Sequence, residues 1–320
     1  MSVVTRDPGS DRRPAGGGAS TLLRSRRRSR RERVIESGLF LAAILSVLVT
    51  VVIVSVLLIE SLAFFRDVSL ARFVTELEWT PLFDEAHFGI LVLLSGTITA
   101  TAVALLVAIP AGTAIAVYLS EFASPRTRDV AKPLLELLGG VPTIVYGYFA
   151  LVFVTPMLQS LIPSLPTFNL LSAGLVMGVM IIPYVSSLSE DAMRAVPMGL
   201  REASYAVGAT RLQTAFGVVV PSAVSGIGSA YVLGISRAIG ETMIVAIAAG
   251  AQARLTFDPT QSAATLTSYI VQVAQGDVDQ GSIGYRTIFV AGLALMLLTL
   301  VLNVAGHLLR RRFAVKGRIA

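Results

Sequence analysis

The chain has 320 residues, of which 54% are hydrophobic and only 14% are charged, whereas soluble domains average about 25% charged residues. The complete absence of cysteine excludes a disulfide framework, a thiolate metal site and a thiol nucleophile. The net charge of +6 is explained by cations placed beside apolar stretches, a pattern typical of membrane topology.

The first 33 residues are rich in Gly, Ser and Arg and contain few large apolar side chains, so we expect residues 1–33 to be a disordered cytoplasmic tail. A basic run at 24–33 favours contact with anionic membrane lipid over nucleic acid. The apolar stretch that follows is too long for the core of a signal peptide, and residues 34–68 are therefore predicted to form an uncleaved transmembrane helix.

Six stretches are long enough to cross a hydrocarbon core, which takes about 20 helical residues. Backbone groups in lipid must be satisfied within the segment, so these stretches predict an all-α polytopic membrane protein with six transmembrane helices. The predicted spans are 39–65, 89–119, 135–158, 169–188, 225–250 and 286–309.

Lysine and arginine are distributed unevenly between the two sides of these spans. With both termini on one side, that side carries 21 of them and the other side carries 4. The asymmetry predicts cytoplasmic N and C termini, including a short tail at 313–320. The loops 69–88 and 251–285 then lie outside the cell, either as solvated surfaces or as a dock for an extracytoplasmic partner.

A folded segment is expected between the fourth and fifth spans, at residues 190–222, on the cytoplasmic side. Pro197 suits a helix start and Glu202 would place a negative charge in the first turn. Gly208 can end the helix, and Pro221 is expected just before the next span. An apolar side on such a helix indicates a partner groove, and it would be formed by Ala203, Tyr205, Ala206 and Val207.

The fifth span contains two charged residues, Arg237 and Glu241, four positions apart. A charge at the centre of a membrane helix costs about 2.5–3.5 kcal/mol on insertion scales, so the two residues should pair or face water. An internal salt bridge and an ion-pathway site are both open, and the second is favoured. A row of small residues beside them predicts close packing on another helix, either of this chain or of a partner protein. The row consists of Gly226, Ala230, Gly234, Ala238, Thr242, Ala246 and Gly250.

Further polar residues lie in or beside the other spans. Thr143 and Tyr146 occur in the run GGVPTIVYG (139–147), where Pro and Gly either free backbone groups near a substrate or simply kink the helix for packing. Three threonines of the second span are expected to pack and bond their own backbone: Thr97, Thr99 and Thr101. The pair Glu190–Asp191 is expected to solvate the end of the fourth span.

The run EASYAVGATRLQTAFGVVVP (202–221) resembles the EAA loop of ATP-binding-cassette (ABC) importer permeases. Glu202, Ala203, Gly208 and Pro221 occupy the family's positions, and Ser204 replaces the second Ala. Four other runs resemble the phosphate-importer permeases, and a first span ending in ESLAFF (60–65) resembles their PstC type. The resemblance covers roughly residues 34–312, and the four runs are YLSEFA, GGVPTIVYGYFAL, DAMRAVPMGLREASYAVGATR and GISRAIGETM.

This resemblance implies a MetI-like permease domain at 89–312, preceded by an extra N-terminal helix. It implies a homologous permease of the PstA type, two ATP-binding subunits of the PstB type and an extracytoplasmic phosphate-binding protein of the PstS type. The segment 190–222 would be the coupling loop that contacts the ATPase. The residues expected at this contact are Glu202, Ala203, Gly208, Arg211 and Pro221.

The chain contains no GxxxxGK[ST] run, so ATP and Mg are expected on the partner ATPase subunits. No cofactor is expected on this chain, which is predicted to be a transporter subunit of a prokaryotic plasma membrane and not an enzyme. The expected pathway residues for inorganic phosphate are Arg237, Glu241, Thr143 and Tyr146. Arginine offers fixed donors to oxyanions, and Glu241 could accept a hydrogen bond from a protonated phosphate oxygen.

Other functions stay open at this point. The chain could carry another solute such as sulfate, molybdate or an amino acid, or could be a membrane protein that signals phosphate status without transport. An intramembrane enzyme is the least favoured alternative because no nucleophile–base pair stands out in the sequence.

Overall fold

The computed structural model describes the backbone of residues 18–316 and the side chains of residues 32–308. In this part of the chain the regular elements are helices joined by loops, and one isolated bridge pairs Trp79 with Phe88. Three π-helical turns, at Tyr118–Phe122, Ala150–Val154 and Ala215–Val219, continue the helices that precede them. The helices are α1 Gly18–Asp67, α2 Leu70–Thr75, α3 Leu91–Val117, α4 Pro125–Gly140, α5 Thr143–Phe149, α6 Thr155–Leu161, α7 Leu170–Arg194, α8 Met198–Ala206, α9 Arg211–Thr214, α10 Val220–Ile239, α11 Met243–Ala248, α12 Leu266–Gln275 and α13 Ile283–Lys316.

Six helical stretches in the described part of the chain are long and apolar enough to cross a membrane, which confirms the predicted number. They differ from the predicted spans mainly at their ends, and most strongly in the third and fifth. The six spans are Glu32–Asp67, Leu91–Phe122, Thr143–Leu161, Leu170–Arg194, Arg211–Ile239 and Ile283–Leu308.

The first helix begins at Gly18 and not near residue 34, so the prediction of disorder is wrong for residues 18–33. These residues contain no Pro and no Gly after Gly18, and arginine is a good helix former. Residues 1–17 of the predicted tail, and 317–320 of the C-terminal tail, lie outside the described residues. The chain divides into two compact units after Val56, and in the first unit the apolar side chains of α1 are exposed, as suits a helix in lipid.

The third span begins at Thr143 because a separate helix, α4, ends at Gly140. Val141 is extended, with ψ at 131°, and Pro142 follows it. A residue before proline is pushed out of the helical region by clash with the proline ring. The prediction that residues 135–140 belong to the third span is therefore wrong, since they form the last turns of α4.

The second and fourth spans pack closely through glycines. A Cβ on Gly178 of α7 would lie 2.7 Å from the carbonyl oxygen of Ala104 in α3, and one on Gly112 of α3 would lie 2.8 Å from Val185 Cβ in α7. Such approaches need glycine because backbones meet directly. The two spans form a tightly joined pair whose buried side chains include Ala100, Ala104, Ala108, Ala173, Met177 and Ile181.

The small-residue row of α10 packs on α7 of the same chain. A Cβ on Gly226 would collide with the side chain of Ala192, and one on Gly234 would lie 3.1 Å from Val185 Cγ2. Ala230 is fully buried. The predicted close helix contact is thus confirmed for the first part of the row, but its partner is the fourth span of this chain.

The 69–88 loop folds around Glu76. Ser69 caps α2, and the Glu76 carboxylate accepts from Arg72 Nε at 2.7 Å and from the Phe88 amide at 2.7 Å. Trp79 is 2% exposed and meets the Tyr269 ring edge-on, with centroids 5.2 Å apart. This loop therefore contains a short helix, α2, at its start.

Candidate functional site

The fifth span ends between its two charged residues. α10 stops at Ile239, and Oε1 of Glu241 accepts hydrogen bonds from the amides of Met243 and Ile244 at 3.1 and 3.3 Å. The carboxylate satisfies two amides that would otherwise lack a partner at the start of α11. Arg237 and Glu241 therefore do not lie on one helix, because Gly240 and Glu241 leave it.

Glu241 is held from its backbone as well as from its side chain. Its carbonyl oxygen accepts a 2.7 Å hydrogen bond from Thr267 Oγ1, and the residue is 7% exposed. No ion pair joins Glu241 to Arg237 within residues 32–308. The internal salt bridge between these two residues is therefore not what stabilises the break.

Arg237 is positioned by an aromatic ring. Its guanidinium carbon lies 4.5 Å from the centroid of Tyr184, in the fourth span, a distance typical of a cation–π contact. The Tyr184 hydroxyl donates to the carbonyl oxygen of Gly139 at 3.2 Å. Nε of Arg237 is buried and has no hydrogen-bond partner in the described part of the chain.

The other two predicted pathway residues lie at the break before the third span. Tyr146 donates its hydroxyl to the Leu138 carbonyl at 2.7 Å, next to the carbonyl that Tyr184 uses. Two tyrosines from different spans thus bond adjacent carbonyls at the end of α4. Thr143 is the first residue of α5 and half-buried, and no hydrogen bond joins it to Arg237 within residues 32–308.

The threonines of the second span behave differently from one another. Thr97 donates to the Leu93 carbonyl at 2.8 Å and accepts from the Leu266 amide at 3.0 Å, so it joins α3 to the start of α12. The hydroxyls of Thr99 and Thr101 are buried without a hydrogen-bond partner in the described residues. The predicted bond to the helix backbone is confirmed for Thr97 and wrong for the other two.

The connecting segment, residues 195–220, contains the short helix predicted from sequence. α8 begins after Pro197, and Gly208 has φ +85°, a left-handed conformation that glycine adopts at little cost. Glu202 lies in the middle of α8, beyond its first turn, so the expected first-turn position is wrong.

After Gly208 the chain re-enters a helix earlier than expected. Thr210 and Gln213 form a capping box at the start of α9, and the helix then continues through Ile239. Pro221 sits inside this continuous helix at the first turn of α10, after the π-helical turn. The expectation that Pro221 precedes the span is wrong because the capping box starts the helix at Arg211.

The surface of the connecting segment is apolar and exposed. Glu202, Ala203 and Arg211 are also exposed. Beside them, α8 borders a cavity of about 660 Å³ whose lining includes Glu121, Arg194, Arg201 and Arg211. The exposed apolar side chains are Met198, Leu200, Tyr205, Val207, Leu212 and Phe216, with Val207 85% exposed.

An ion cluster fixes the end of the fourth span to α4. Glu190 is fully buried, and its carboxylate is 2.7 Å from both Arg128 Nε and Lys132 Nζ. Lys132 also contacts Asp191 at 2.6 Å, and Arg194 Nε lies 3.8 Å from Glu190. Burial lowers the pKa of Lys132, but its hydrogen bonds to Asp191 and Glu190 outweigh that effect and raise it overall. The expectation that Glu190 only solvates the span end is wrong.

Sequence reasoning missed Tyr184, Glu121 and Arg201. Arg201 donates to both carboxylate oxygens of Glu121, at 3.0 and 3.3 Å. The runs that contain Glu121 and Arg201 stood out in the sequence, but nothing there indicated that the two charges meet across 80 residues.

The sequence matches one protein family and several transport permeases. The family model described as "Binding-protein-dependent transport system inner membrane component" matches residues 108–315. The chain is 36% identical to the probable ABC transporter permease protein YqgH of Bacillus subtilis over 73% of this chain and 75% of that protein. It is 33% identical to the phosphate transport system permease protein PstC 1 of Mycobacterium bovis over 71% and 73%, and 31% identical to PstC of Xylella fastidiosa over 75% and 78%.

Solved structures agree in fold. A bacterial alginate ABC transporter in complex with its periplasmic protein aligns with a TM-score of 0.59 and 19% identity, covering 88% of this chain and 96% of that chain. The inward-facing MetNI methionine ABC transporter aligns with a TM-score of 0.51 and 20% identity, covering 70% and 94%. Permeases of this kind work with other permease and ATPase subunits and are not themselves enzymes. The chain belongs to the binding-protein-dependent transport system inner membrane components and is a multi-pass, MetI-like permease of an ABC importer in the inner membrane.

Proposed function

We propose that this permease forms part of the translocation pathway for inorganic phosphate, with Arg237 as the residue that receives the anion. The observation that carries the proposal is a half-buried arginine in the fifth span whose guanidinium is stacked on Tyr184 and unpaired with any carboxylate among residues 32–308. A planar, always-charged guanidinium matches the geometry of phosphate oxygens. Several relatives at about 30% identity are named as phosphate transport permeases, which supports the same substrate.

The partners follow from the same relatives. We propose a PstA-type permease beside this chain, two PstB-type subunits that bind ATP and Mg, and a PstS-type binding protein outside the cell. The excess of Lys and Arg on the side of both termini supports cytoplasmic termini. We also propose that residues 34–68 form the N-terminal transmembrane helix, 69–88 an extracytoplasmic loop and 89–312 the permease domain.

Docking of the ATPase is assigned to the connecting segment. Its exposed apolar side chains fit a groove on a partner, in the way amphipathic helices are commonly bound. Glu202 and Ala203 lie on α8, Gly208 turns the chain, and Arg211 begins the helix that leads through Pro221 into the fifth span. This arrangement supports a coupling role for all five residues.

Glu241 has two separable roles in this proposal. Oε1 caps α11, and Oε2 takes no part in those bonds, so it is available to accept a hydrogen bond from protonated phosphate. Thr143 and Tyr146 lie at the neighbouring break, where a helix is interrupted beside the pathway, as is common in transporters. They are proposed to line the route and not to hold the charge.

The test is ATP-dependent uptake of labelled phosphate by the complete reconstituted importer, with sulfate and molybdate as competitors. We expect unlabelled phosphate, but neither sulfate nor molybdate, to reduce the uptake of labelled phosphate. In Arg237→Gln we expect uptake to fall to background. Arg126→Gln removes an exposed arginine of α4 and should leave uptake unchanged. Uptake of sulfate or molybdate in place of phosphate would identify another substrate, and wild-type uptake by Arg237→Gln would remove Arg237 from the pathway.

Docking is tested separately. Val207→Asp places a charge directly after α8, on the most exposed apolar side chain of the connecting segment, and co-purification of the ATPase should fall while membrane insertion stays normal. Phe257→Asp changes a similarly exposed side chain, 68% exposed, in the loop between α11 and α12, and should retain the ATPase. Equal ATPase yield from both variants and the wild type would contradict the coupling role.

A further inference from the structure

Arg201 is a charged residue of α8 that is buried while most of its neighbours are exposed. The residue is 8% exposed, and the Glu121 side chain that it binds is 6% exposed. Two donors of the guanidinium reach the two carboxylate oxygens of Glu121, at 3.0 and 3.3 Å. This is a forked contact, which fixes orientation as well as distance.

The same guanidinium also binds the end of the fourth span. Nη1 donates to the Val196 carbonyl at 2.6 Å, and Nη2 donates to the Met193 carbonyl at 2.9 Å. Met193 lies in the last turn of α7, and its carbonyl also accepts from the Val196 amide at 3.2 Å. One side chain of α8 therefore contacts the ends of both the second and the fourth span.

Those two spans are the pair that glycine contacts join most closely, through Gly178 against Ala104 and Gly112 against Val185. A contact that fixes α8 to one of these two spans therefore fixes it to the other as well. On the second span, Glu121 lies in the π-helical turn Tyr118–Phe122, and the Ser120 hydroxyl donates to its Oε1 at 2.7 Å. The Glu121 carboxylate is therefore held by Ser120 as well as by Arg201.

Stability alone does not account for this pair. Burying an ion pair costs roughly as much as the pair regains, and replacement by apolar residues is often neutral. What a forked, buried pair provides is a unique relative position of the groups that carry it. By contrast, the covalent route from α8 to the fifth span passes through the turn at Gly208, whose neighbours Val207 and Thr210 are exposed.

We propose that Arg201 and Glu121 are positioning residues that make α8 move as one body with the second and fourth spans. The proposal rests on the proposed function, in that α8 is taken to receive the motion of the ATPase. In this proposal the motion of α8 reaches the second and fourth spans through the Arg201–Glu121 pair. It also reaches the fifth span through the backbone that follows Gly208. Tyr184, which stacks on Arg237, lies in the fourth span, so this route leads to the anion-binding arginine.

The first experiment measures the link without reference to the transported substrate. The chain contains no cysteine, so spin labels can be placed at Gly199→Cys in α8 and Leu106→Cys in α3, which are both exposed. The labelled chain is assembled with cysteine-free partner subunits, and the distance between labels is measured with and without ATP. In the otherwise wild-type chain we expect one narrow distribution of label distances both with and without ATP. In Glu121→Gln and Arg201→Lys we expect the distance distribution to broaden or shift when ATP is added.

The second experiment measures coupling in the same assembled complexes. Glu121→Gln and Arg201→Lys should keep the ATPase bound and its basal hydrolysis, while transported phosphate per ATP falls about tenfold, within the usual range of coupling free energies. Arg126→Lys serves as the matched control and should match the wild type. Unchanged label distances in both variants, or transport per ATP within about twofold of wild type, would overturn the proposal.

Loss of ATPase binding in both variants would also overturn it, since the pair would then have only a structural role. If the wild-type complex carries no phosphate, the proposed function fails while the distance measurement still decides the link.

Discussion

The guanidinium carbon of Arg237 lies 4.5 Å above the centre of the Tyr184 ring, and the Tyr184 hydroxyl is tied to the carbonyl of Gly139. The arginine is therefore oriented by the fourth span although it belongs to the fifth. A guanidinium held over a ring keeps its N–H groups at the edge of the plane, where an oxyanion can accept from them.

Removing the Tyr184 ring should weaken phosphate handling without removing the charge. A partly desolvated cation–π contact contributes about 1–2 kcal/mol, so Tyr184→Leu should raise the phosphate concentration for half-maximal uptake about 5- to 30-fold. Tyr184→Phe keeps the ring and loses only the bond to Gly139, and it should stay within about threefold of wild type. Concentration-dependent uptake by both variants decides the matter, and equal values for Leu and Phe would show that stacking does not matter.

The turn at Gly208 should tolerate no side chain. Its φ of +85° costs a residue with a Cβ about 1 kcal/mol or more, so Gly208→Ala should loosen the turn and reduce the amount of ATPase that co-purifies. Gly199→Ala is the control, because Gly199 is helical and nothing lies within 4 Å of its added Cβ. Hydrogen exchange of α8 should rise only in Gly208→Ala, and unchanged exchange there would contradict the expected strain.

Neutralising Glu190 should destabilise the protein, because Arg128 loses its carboxylate partner and Lys132 keeps only Asp191. Removing one member of a buried pair costs about 3–5 kcal/mol, and the partial exposure of Arg128 and Lys132 lowers our expectation for Glu190→Gln to about 2–4 kcal/mol. Asp191→Asn removes a 57% exposed carboxylate and should cost less than about 1 kcal/mol. Thermal unfolding in detergent compares the two, and equal midpoints would contradict the role of burial.

The same cluster carries a pH dependence with a definite sign. The pKa of Lys132 is raised, because its hydrogen bonds to Asp191 and Glu190 outweigh burial, so its stabilising contribution is complete below the unfolded value and is lost as pH rises above 10.5. We expect the unfolding midpoint to be constant from neutral to mildly alkaline pH and to fall above pH 10.5. Lys132→Met should remove that alkaline component.

Acid should loosen the 69–88 loop through Glu76. Burial raises the pKa of this carboxyl, but its bonds to the Phe88 amide and to Arg72 outweigh burial and lower it overall. The stabilisation is therefore present above the unfolded value and is lost as pH falls below 4.5. Trp79, the single tryptophan, is buried within this loop and reports on it, so its emission should shift to the red below that pH.

The control for this experiment is Glu76→Gln. It should give the red-shifted emission already at neutral pH and show no acid transition, whereas Glu78→Gln changes a 71% exposed side chain and should behave as wild type. An acid transition that persists in Glu76→Gln would assign it to another group.

The number of spans could be predicted because a helix that crosses the lipid must have a minimum length and an apolar composition, and both are visible in the sequence. The ends of the third and fifth spans could not, because they depend on single residues. Pro142 pushes Val141 out of the helix, and the side chain of Glu241, two residues after the end of α10, caps α11. An apolar run looks the same with or without such a break.

The candidate site was predictable where charge sat in an apolar run, as at Arg237, and where a short motif marked a turn, as at Gly208. Contacts between residues far apart in the chain were not. Glu190 looks like an exposed acid until Arg128 and Lys132 approach it from α4, and Arg201 looks like a solvated arginine until Glu121 meets it. Tyr184 had no charge and no motif to single it out.

The breaks before α5 and α11 place two short helices against each other. A Cβ added to Gly147 of α5 would lie 2.9 Å from Ile247 Cδ1 and 3.2 Å from the Met243 carbonyl oxygen of α11. The space at this contact is filled by residues 147 and 247 together, although they are a hundred residues apart in the chain. Among relatives, a larger residue at 147 should therefore occur together with a smaller one at 247, and in the laboratory Gly147→Ala should be tolerated better in an Ile247→Ala background than alone.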